Sequence, residues 1–306
     1  MRLSFGIPVQ AVVVAALTCL SAVSSALTHE DQAHFNSTLG AIYNQGMKLA
    51  AQGSRSCPNE NKKLNAVKDL RISIYYGYWN TEKLVLDGGQ AAAMAAALQA
   101  PCPPNLEACG FKIQLAAPFR TILSKRVGSR KITLTVAHTS ISSNGADNQD
   151  LNKTGGAQDQ QSATIEKQFN HSLIHDDVVF YSGHARYGGG LGFRKDSFVG
   201  DAMNVAFRAP IRPMANALRA RPTRLKVLGL FTCESDRHYR YIIEDTNPHT
   251  NMIITHGDIL SVEGDQTMLG AVNSILMNKC DADFRESLVS TVVPQSKIIE
   301  YVRRPE

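Results

Sequence analysis

Short apolar runs alternate with amphipathic stretches through the second half of the chain, and this alternation is typical of strands followed by helices. The pattern predicts strands at Val178–Tyr181, Leu225–Phe231 and Asn251–Thr255. It predicts helices at 158–174, 201–220 (interrupted), 236–243 and 265–277. Because helices that connect parallel strands cover the sheet, we predict an α/β fold with a parallel-rich sheet flanked by helices on both faces.

The first half of the chain has a less regular pattern. It predicts a helix at 28–53, a strand at 70–86 with a turn at Asn80–Thr81, an Ala-rich helix at 90–100, a short strand at 111–115, a helix at 118–126 and a strand at 131–141. The polar stretch 142–156 is predicted to be a loop. We divide the chain into a signal region (1–26), an N-terminal helix and loop (27–66) and an α/β domain (67–306) with a soft internal boundary near 142–157.

The N-terminus has the pattern of a secretory signal. Arg2 supplies the positive charge, the run Ala11–Leu20 is apolar, and Ser24-Ser25-Ala26 offers small residues for cleavage. The apolar run is short for a membrane span, which needs about 20 residues. We expect a secreted or periplasmic protein, bacterial in signal style, with no stable membrane insertion after cleavage. An uncleaved anchor is the alternative.

The charge pattern gives no sign of a nucleic-acid partner. The formal net charge is +5, and the chain has no uninterrupted tract of lysines and arginines. The basic stretch 125–131 is broken by Val127, Gly128 and Ser129, which is typical of a solvated face.

The number of cysteines is more informative than the net charge. The chain has six cysteines, and removal of the signal leaves five, an odd number for an oxidising compartment. Cys102 and Cys109 flank a short proline-rich loop and are the easiest pair to close. Cys57 and Cys280 are then available to each other, which leaves Cys233 unpaired. Sequence does not fix connectivity, so a bridge from Cys233 to Cys280, or a buried unreactive Cys233, stays open.

Two of the predicted strands end on reactive side chains. The first runs into His184, and the second runs into Cys233, 49 residues later. The carboxyl ends of neighbouring parallel strands share one edge of the sheet, where ligands bind. The interval accommodates one crossover helix and a loop. An imidazole and a thiol at one edge can act as base and nucleophile.

The residues around these strand ends resemble a known superfamily. Val178-Val-Phe-Tyr-Ser-Gly-His184 is similar to the histidine block of the caspase-like cysteine peptidases, and Val227-Leu-Gly-Leu-Phe-Thr-Cys-Glu-Ser235 is similar to their cysteine block. This superfamily includes caspases, legumains, gingipains and bacterial CHAT domains. The order of histidine before cysteine matches as well. The specific part of the resemblance is these two blocks, within about 69–277.

The resemblance implies a caspase-like three-layer fold with N-terminal additions and an exported cysteine endopeptidase without a cofactor. Cys233 would attack a peptide or protein substrate to form an acyl-thioester, and His184 would be the general base. The backbone amides of Ala185 and Cys233 would hold the oxyanion. The family has glycine after its histidine and a small residue before its cysteine, where this chain has Ala185 and Thr232. These departures motivate the alternative of an inactive, exported peptide-binding or scaffold module.

Residues near the two blocks are candidates for orienting His184 or lining a pocket, and the sequence does not select among them. They are Ser182, Gly183, Glu234, Asp236 and His256. His256 is also a second candidate base, because it precedes a glycine at the end of a predicted strand. The sequence leaves the oligomeric state open.

Two further motifs suggest other chemistry. The glycine-rich loop 188–192 lacks the spacing of a nucleotide-binding loop, so we expect a pliable loop beside the cleft. His171 and His175 have the i, i+4 spacing of zinc ligands but lack the acidic residue of a metalloprotease motif. Histidines at a helix C-terminus are the simpler interpretation, and we expect no metal.

Overall fold

The computed structural model describes residues 55–79, 86–141, 156–195, 211–288 and 299–304, together with part of the stretch 37–52. The strands are β1 (Asp69–Tyr76), β2 (Lys112–Ala117), β3 (Arg120–Val127), β4 (Arg130–His138), β5 (Val178–Ser182), β6 (Val227–Phe231), β7 (Asn251–Thr255) and β8 (Ile299–Val302). The helices are α1 (Lys62–Asn65), α2 (Leu86–Gln99), α3 (Ala157–His175), α4 (Ile211–Arg219), α5 (Ser235–Thr246), α6 (Ser261–Leu276) and α7 (Asp281–Glu286). The described residues between 37 and 51 are helical as well.

The eight strands of the described residues form one sheet in the order β2-β3-β4-β1-β5-β6-β7-β8. The five central strands, from β4 to β7, run parallel to one another. The remaining strands pair antiparallel at the two edges. Strands of the first half therefore join the same sheet as those of the second half. This arrangement confirms the predicted α/β class with a parallel-rich sheet.

Helices cover both faces of the sheet, which gives three layers. On one face, α2 and α6 pack against alternate strand residues such as Ile74 and Phe180. On the other face, α3, α4 and α5 pack against the intervening residues, such as Tyr75 and Val179. Every residue of β5 and β6 is buried, as expected for central strands that are covered on both sides. The alanines of α2 allow this helix to lie close to the sheet.

The strand predicted at 70–86 is shorter than expected. It leaves the sheet after Tyr76, and Leu86 already begins α2. A Cβ atom on Gly77 would lie 2.2 Å from the Tyr181 hydroxyl and 2.6 Å from the Gly192 carbonyl oxygen, so the chain approaches its neighbours too closely there for a side chain. The buried Asp87 carboxylate accepts hydrogen bonds from the Thr139 and Ser140 region, which holds the first turn of α2. The predicted turn at Asn80–Thr81 lies outside the described residues.

The helix predicted at 118–126 is wrong. This stretch is β3, which pairs antiparallel with β2 on one side and with β4 on the other. Gly128, with φ of 58°, and Ser129 form the tight connection from β3 to β4. Leu123 is fully buried on this strand. Non-local strand pairing overrode the local pattern, and the same effect explains why the short edge strand β8 was not predicted.

The cysteines follow the favoured pairing. The sulfur atoms of Cys57 and Cys280 lie 2.02 Å apart, and those of Cys102 and Cys109 lie 2.15 Å apart. Cys233 is a free thiol. Among the described residues, no helix combines the length and the apolar character needed to cross a membrane. The predicted signal region, most of the predicted loop at 142–156 and the stretch 201–210 lie outside the described residues.

Candidate functional site

The ends of β5 and β6 bring the two candidate catalytic residues to one edge of the sheet. The parallel register pairs Ser182 with Phe231, and the Gly183 amide continues the pairing by donating to the Phe231 carbonyl at 3.3 Å. His184 and Cys233 each follow two residues after this last pair, so they occupy equivalent positions on adjacent strands. Neighbouring strands are about 4.8 Å apart. The imidazole and the free thiol therefore belong to the same carboxyl edge.

This edge is also where the strand order reverses. After β1, the chain forms β2, β3 and β4 on one side of β1. It then forms β5 on the other side. Ligands of open α/β sheets bind in the crevice at such a switch point, outside the carboxyl ends of the strands. His184 lies at the switch point, and Cys233 lies one strand further along.

A network of buried hydroxyl groups holds the turn that carries Cys233. The Ser235 hydroxyl donates to the Leu230 carbonyl at 2.9 Å, and the Thr255 amide donates to the Ser235 hydroxyl at 2.8 Å. The Thr255 hydroxyl also donates to the Thr232 carbonyl. Between Cys233 and α5, Glu234 adopts a left-handed conformation, with φ of 48° and ψ of 38°. Non-glycine residues in this region are uncommon and concentrate at functional sites.

Backbone and ring contacts fix the position of His184. Its carbonyl accepts hydrogen bonds from the Gly192 amide at 3.0 Å and from the Tyr181 hydroxyl at 3.3 Å. The imidazole packs against the indole of Trp79, with the ring centroids 4.6 Å apart and the planes inclined by 40°. Trp79 lies just after β1, so a third strand end contributes to the site. A Cβ atom on Gly192 would lie 3.0 Å from the His184 Cβ, so a larger residue there would press on the histidine.

The position after His184 does not require glycine. Ala185 has φ of −85° and ψ of −14°, a conformation open to any residue. The positive φ angles fall on Arg186 and Tyr187 instead, at 44° and 50°. The buried Tyr239 hydroxyl donates to the Ala185 carbonyl at 2.5 Å, which ties this loop to α5. Alanine at this position therefore introduces no backbone strain.

Opposing interactions act on the Cys233 thiol. Burial is the main cause that raises its pKa, and the negative charge of the nearby Asp258 carboxylate raises the pKa further. The nearby backbone amide of Ile259 acts in the opposite direction and lowers the pKa. The net effect is a raised pKa, so the resting thiol is protonated at neutral pH.

The other candidate residues are distributed around this edge. Ser182 is buried and ends β5, and its carbonyl accepts from the Gly77 amide at 2.8 Å. The Glu234 carboxylate lies 3.1 Å from Arg237 Nη1 and 3.6 Å from His238 Nε2. These contacts direct Glu234 toward α5.

His256 reaches the same edge from β7 but has carboxylate neighbours on both ring nitrogens. Its Nδ1 lies 3.3 Å from Asp236, and its Nε2 lies 2.8 Å from Glu300. The ligand atoms of these three residues lie within 4.8 Å of one another, close enough for one metal ion. However, Arg240 Nη1 lies 3.0 Å from Asp236 and 3.6 Å from Glu300, so a cation is already present. We interpret the group as an ion-pair cluster that joins α5, β7 and β8.

The two histidines considered as zinc ligands lie at the opposite end of the sheet. His171 and His175 stack at the C-terminal end of α3, with ring centroids 4.1 Å apart, just before β5 begins. Both are exposed. They take no part in the site at the carboxyl edge.

Sequence reasoning missed Trp79 and Asp258, and it identified Gly192 only as part of a glycine-rich loop beside the cleft. The predicted strand 70–86 is longer than β1 and includes Trp79, so the position of Trp79 at a strand end was hidden. Asp258 lies in the loop after β7, and the predicted strand Asn251–Thr255 could have indicated it, because the ends of parallel strands share one edge. No protein-family model, curated protein or solved structure matches this chain.

Proposed function

We propose that this protein is an exported cysteine peptidase of the caspase-like type that acts on a peptide or protein substrate. The observation that carries the proposal is the equivalent position of His184 and Cys233 beyond the last residue pair of β5 and β6. The free state of Cys233 and the rigid support of both turns agree with it. A catalytic pair needs this kind of fixed geometry.

The proposed reaction has two steps. His184 takes the proton of the Cys233 thiol as the sulfur attacks the scissile carbonyl carbon, and the protonated imidazole then gives that proton to the leaving amine as the C–N bond breaks. Water, with His184 as base, attacks the resulting thioester and releases the acid and the free thiol. The oxyanion of each tetrahedral intermediate would be bound by the backbone amides of Ala185 and Cys233.

The position of Cys233 at the start of a helix supports this proposal. Cys233 lies just before α5, and the amino end of a helix carries partial positive charge that favours a thiolate. Asp236, in the first turn of α5, opposes this effect, but its charge is balanced by Arg240 at 3.0 Å. The helix end acts on the sulfur through its partial charge rather than through its first amides, because the Glu234 and Ser235 amides donate to Gly257 and Thr255.

A second candidate function is a peptide-binding module without turnover. The observation in its favour is the raised pKa of Cys233, because a half-buried, protonated thiol is a weak nucleophile. Both proposals include export. Two disulfides are typical of proteins that mature in an oxidising compartment, and they therefore support export.

A digestion experiment tests the peptidase proposal. The folded protein is incubated with a peptide library, and new termini are identified by mass spectrometry. We expect cleavage by the wild type and by His256→Gln, and none by Cys233→Ala or His184→Gln. A peptidyl acyloxymethylketone should label Cys233 covalently. Absence of both cleavage and labelling would reject the peptidase. Equal peptide binding by wild type and Cys233→Ala, without cleavage, would support the module.

A further inference from the structure

One end of the sheet is open on the side that carries α3. This helix packs against β1 and β5, where the Phe169 ring centroid lies 5.5 Å from that of Tyr75 and 6.0 Å from that of Tyr181. Further toward the edge strand β2, the residues of the same side in β3 and at the start of β4 are exposed or half-buried. On the opposite side of these strands, Leu123 and Ile132 are fully buried. The open side is therefore a sheet surface that faces solvent.

Strand pairing brings four cations together on this open side. Arg126 of β3 lies directly opposite Lys131 of β4. Lys112 of β2 and Arg71 of β1 lie in the next row, two residues further along the strands. Rows on one side of a sheet are about 7 Å apart, and neighbouring strands are about 4.8 Å apart, so the cations occupy a patch about 14 Å across. We call these four residues the basic face.

The charges of the basic face are not compensated by the fold. All four side chains are exposed, and within the described part of the chain none of them forms an ion pair. The row of Lys131 also contains the carboxylate of Asp69, so four cations and one anion leave a net charge of +3. By contrast, Lys125, on the opposite side of β3, is paired with Glu107 at 2.5 Å.

The pairing of Arg126 with Lys131 is unfavourable in the free protein. Like charges directly opposite each other on neighbouring strands destabilise a sheet. The repulsion is relieved when an anionic group from outside lies between the two side chains. The basic face is therefore better suited to a ligand with several negative charges than to the free state.

The next row along the strands adds exposed apolar surface. Leu115 of β2 is 41% exposed, and it lies opposite the half-buried Ile122 of β3. This row and the two rows of the basic face contain no aromatic ring on which a nucleic-acid base could stack. Lysines and arginines beside exposed apolar side chains are typical of proteins that lie on anionic lipid surfaces.

We propose that the basic face binds the headgroups of an anionic lipid bilayer and holds the protein at the surface of the bilayer. This inference is independent of the proposed function. The basic face lies at the amino ends of β1 and β4, whereas His184 and Cys233 lie at the carboxyl edge of the sheet. The docked protein keeps its carboxyl edge accessible to a substrate in solution.

Co-sedimentation with lipid vesicles tests this proposal. The folded full-length protein is mixed with vesicles of phosphatidylcholine alone or of phosphatidylcholine with phosphatidylglycerol, at low and at high salt. We expect binding to the anionic vesicles that weakens as salt screens the charges. Arg126→Gln/Lys131→Gln should bind them roughly 30-fold more weakly, because each cation near an anionic surface contributes a factor of about five.

Arg212→Gln/Arg285→Gln is the matched control. It removes the same net charge from two exposed arginines outside the sheet, on α4 and α7. This variant should bind the anionic vesicles as the wild type does. The apolar N-terminal run is the same in every variant, so binding through it would not distinguish them. Equal binding by the two double variants would overturn the role of the basic face.

Two further measurements can reject the proposal. Dextran sulfate, a soluble polyanion, is offered to the same proteins. Binding of dextran sulfate that depends on Arg126 and Lys131, without binding to anionic vesicles, would replace the lipid by an acidic polysaccharide. Urea unfolding should show that Arg126→Gln/Lys131→Gln is at least as stable as the wild type, because the substitutions remove a repulsion. A loss of stability would show that the two side chains support the fold instead.

Discussion

Individual residues at the carboxyl edge have opposed effects on the pKa of the Cys233 thiol. Burial and Asp258 favour the neutral thiol of Cys233, whereas the Ile259 amide favours the thiolate. The position of His184 depends on a ring contact with Trp79 and on two hydrogen bonds to its carbonyl. Reactivity therefore depends on residues that are not themselves nucleophile or base.

Trp79 provides a direct probe of His184, because it is the only tryptophan of the chain. The imidazole contacts the indole, so replacing it removes this ring contact. The emission spectrum of Trp79 in His184→Gln should therefore differ from that of the wild type, whereas His256→Gln should emit as the wild type does. Identical spectra for the wild type and His184→Gln would contradict the contact.

A second residue-scale prediction concerns Asp265, which is fully buried on α6 next to Tyr76. Burial raises the pKa of this carboxyl to about 8. The unfolded chain has an ordinary carboxyl, so the folded state binds the extra proton. Stability from the neutral form is therefore complete below about pH 4, and it falls by about 1.4 kcal/mol per pH unit as the pH rises toward 8.

Asp265→Asn should remove this dependence. Urea unfolding at pH 5 and pH 7.5 should show that the variant gains stability relative to wild type at the higher pH. A difference between the two proteins that stays constant with pH would mean that the carboxyl is not buried as described.

At the scale of elements, the candidate site consists of strand ends and the turns that follow them. The sequence was sufficient to predict that His184 and Cys233 end consecutive strands, because each follows a continuous apolar run. It was not sufficient for β3, where the pattern favoured a helix and pairing with β2 and β4 decided otherwise. It also did not reveal Asp258 or Trp79. Their roles depend on which strands become neighbours, and local pattern does not encode that.

The loop after β5 should be sensitive to a single methyl group. Gly192→Ala would place a Cβ atom 3.0 Å from the His184 Cβ and 3.3 Å from its carbonyl oxygen. We expect the imidazole to shift slightly and the labelling of Cys233 by a peptidyl acyloxymethylketone to fall several-fold, since even a full 1 Å displacement costs about 100-fold.

Gly89→Ala is the control for the Gly192 variant. Among the described residues, and apart from the backbone of its own helix, no atom lies within 4 Å of a Cβ at Gly89, which is in α2. This change should leave labelling unchanged and stabilise the helix by roughly 0.5–1 kcal/mol. Equal labelling by both variants would show that Gly192 does not position His184.

Across the whole molecule, one sheet joins residues from both halves of the chain, and two disulfides constrain it very differently. Cys57 and Cys280 are separated by 223 residues, whereas Cys102 and Cys109 are separated by 7. The Cys57–Cys280 bridge fastens the N-terminal segment beside the start of α7. Arg55 reinforces this attachment, with its Nη2 atom 2.6 Å from the Asp283 carboxylate.

Removal of the long-range disulfide should cost more than removal of the short one. Chain entropy gives about 5 kcal/mol for the Cys57→Ser/Cys280→Ser variant and about 2 kcal/mol for Cys102→Ser/Cys109→Ser. Denaturant unfolding of the two variants measures the difference. Equal losses would indicate that the unfolded chain is already constrained near Cys57 and Cys280.

The central claim is that the ends of β5 and β6 present a base and a nucleophile to each other. Its most direct test is the rate of Cys233 alkylation by iodoacetamide across pH 5 to 10 in the wild type, in His184→Gln and in His256→Gln. We predict that His184→Gln reacts at least about tenfold more slowly near pH 7, while His256→Gln follows the wild type. Superimposable curves for the wild type and His184→Gln would contradict the account.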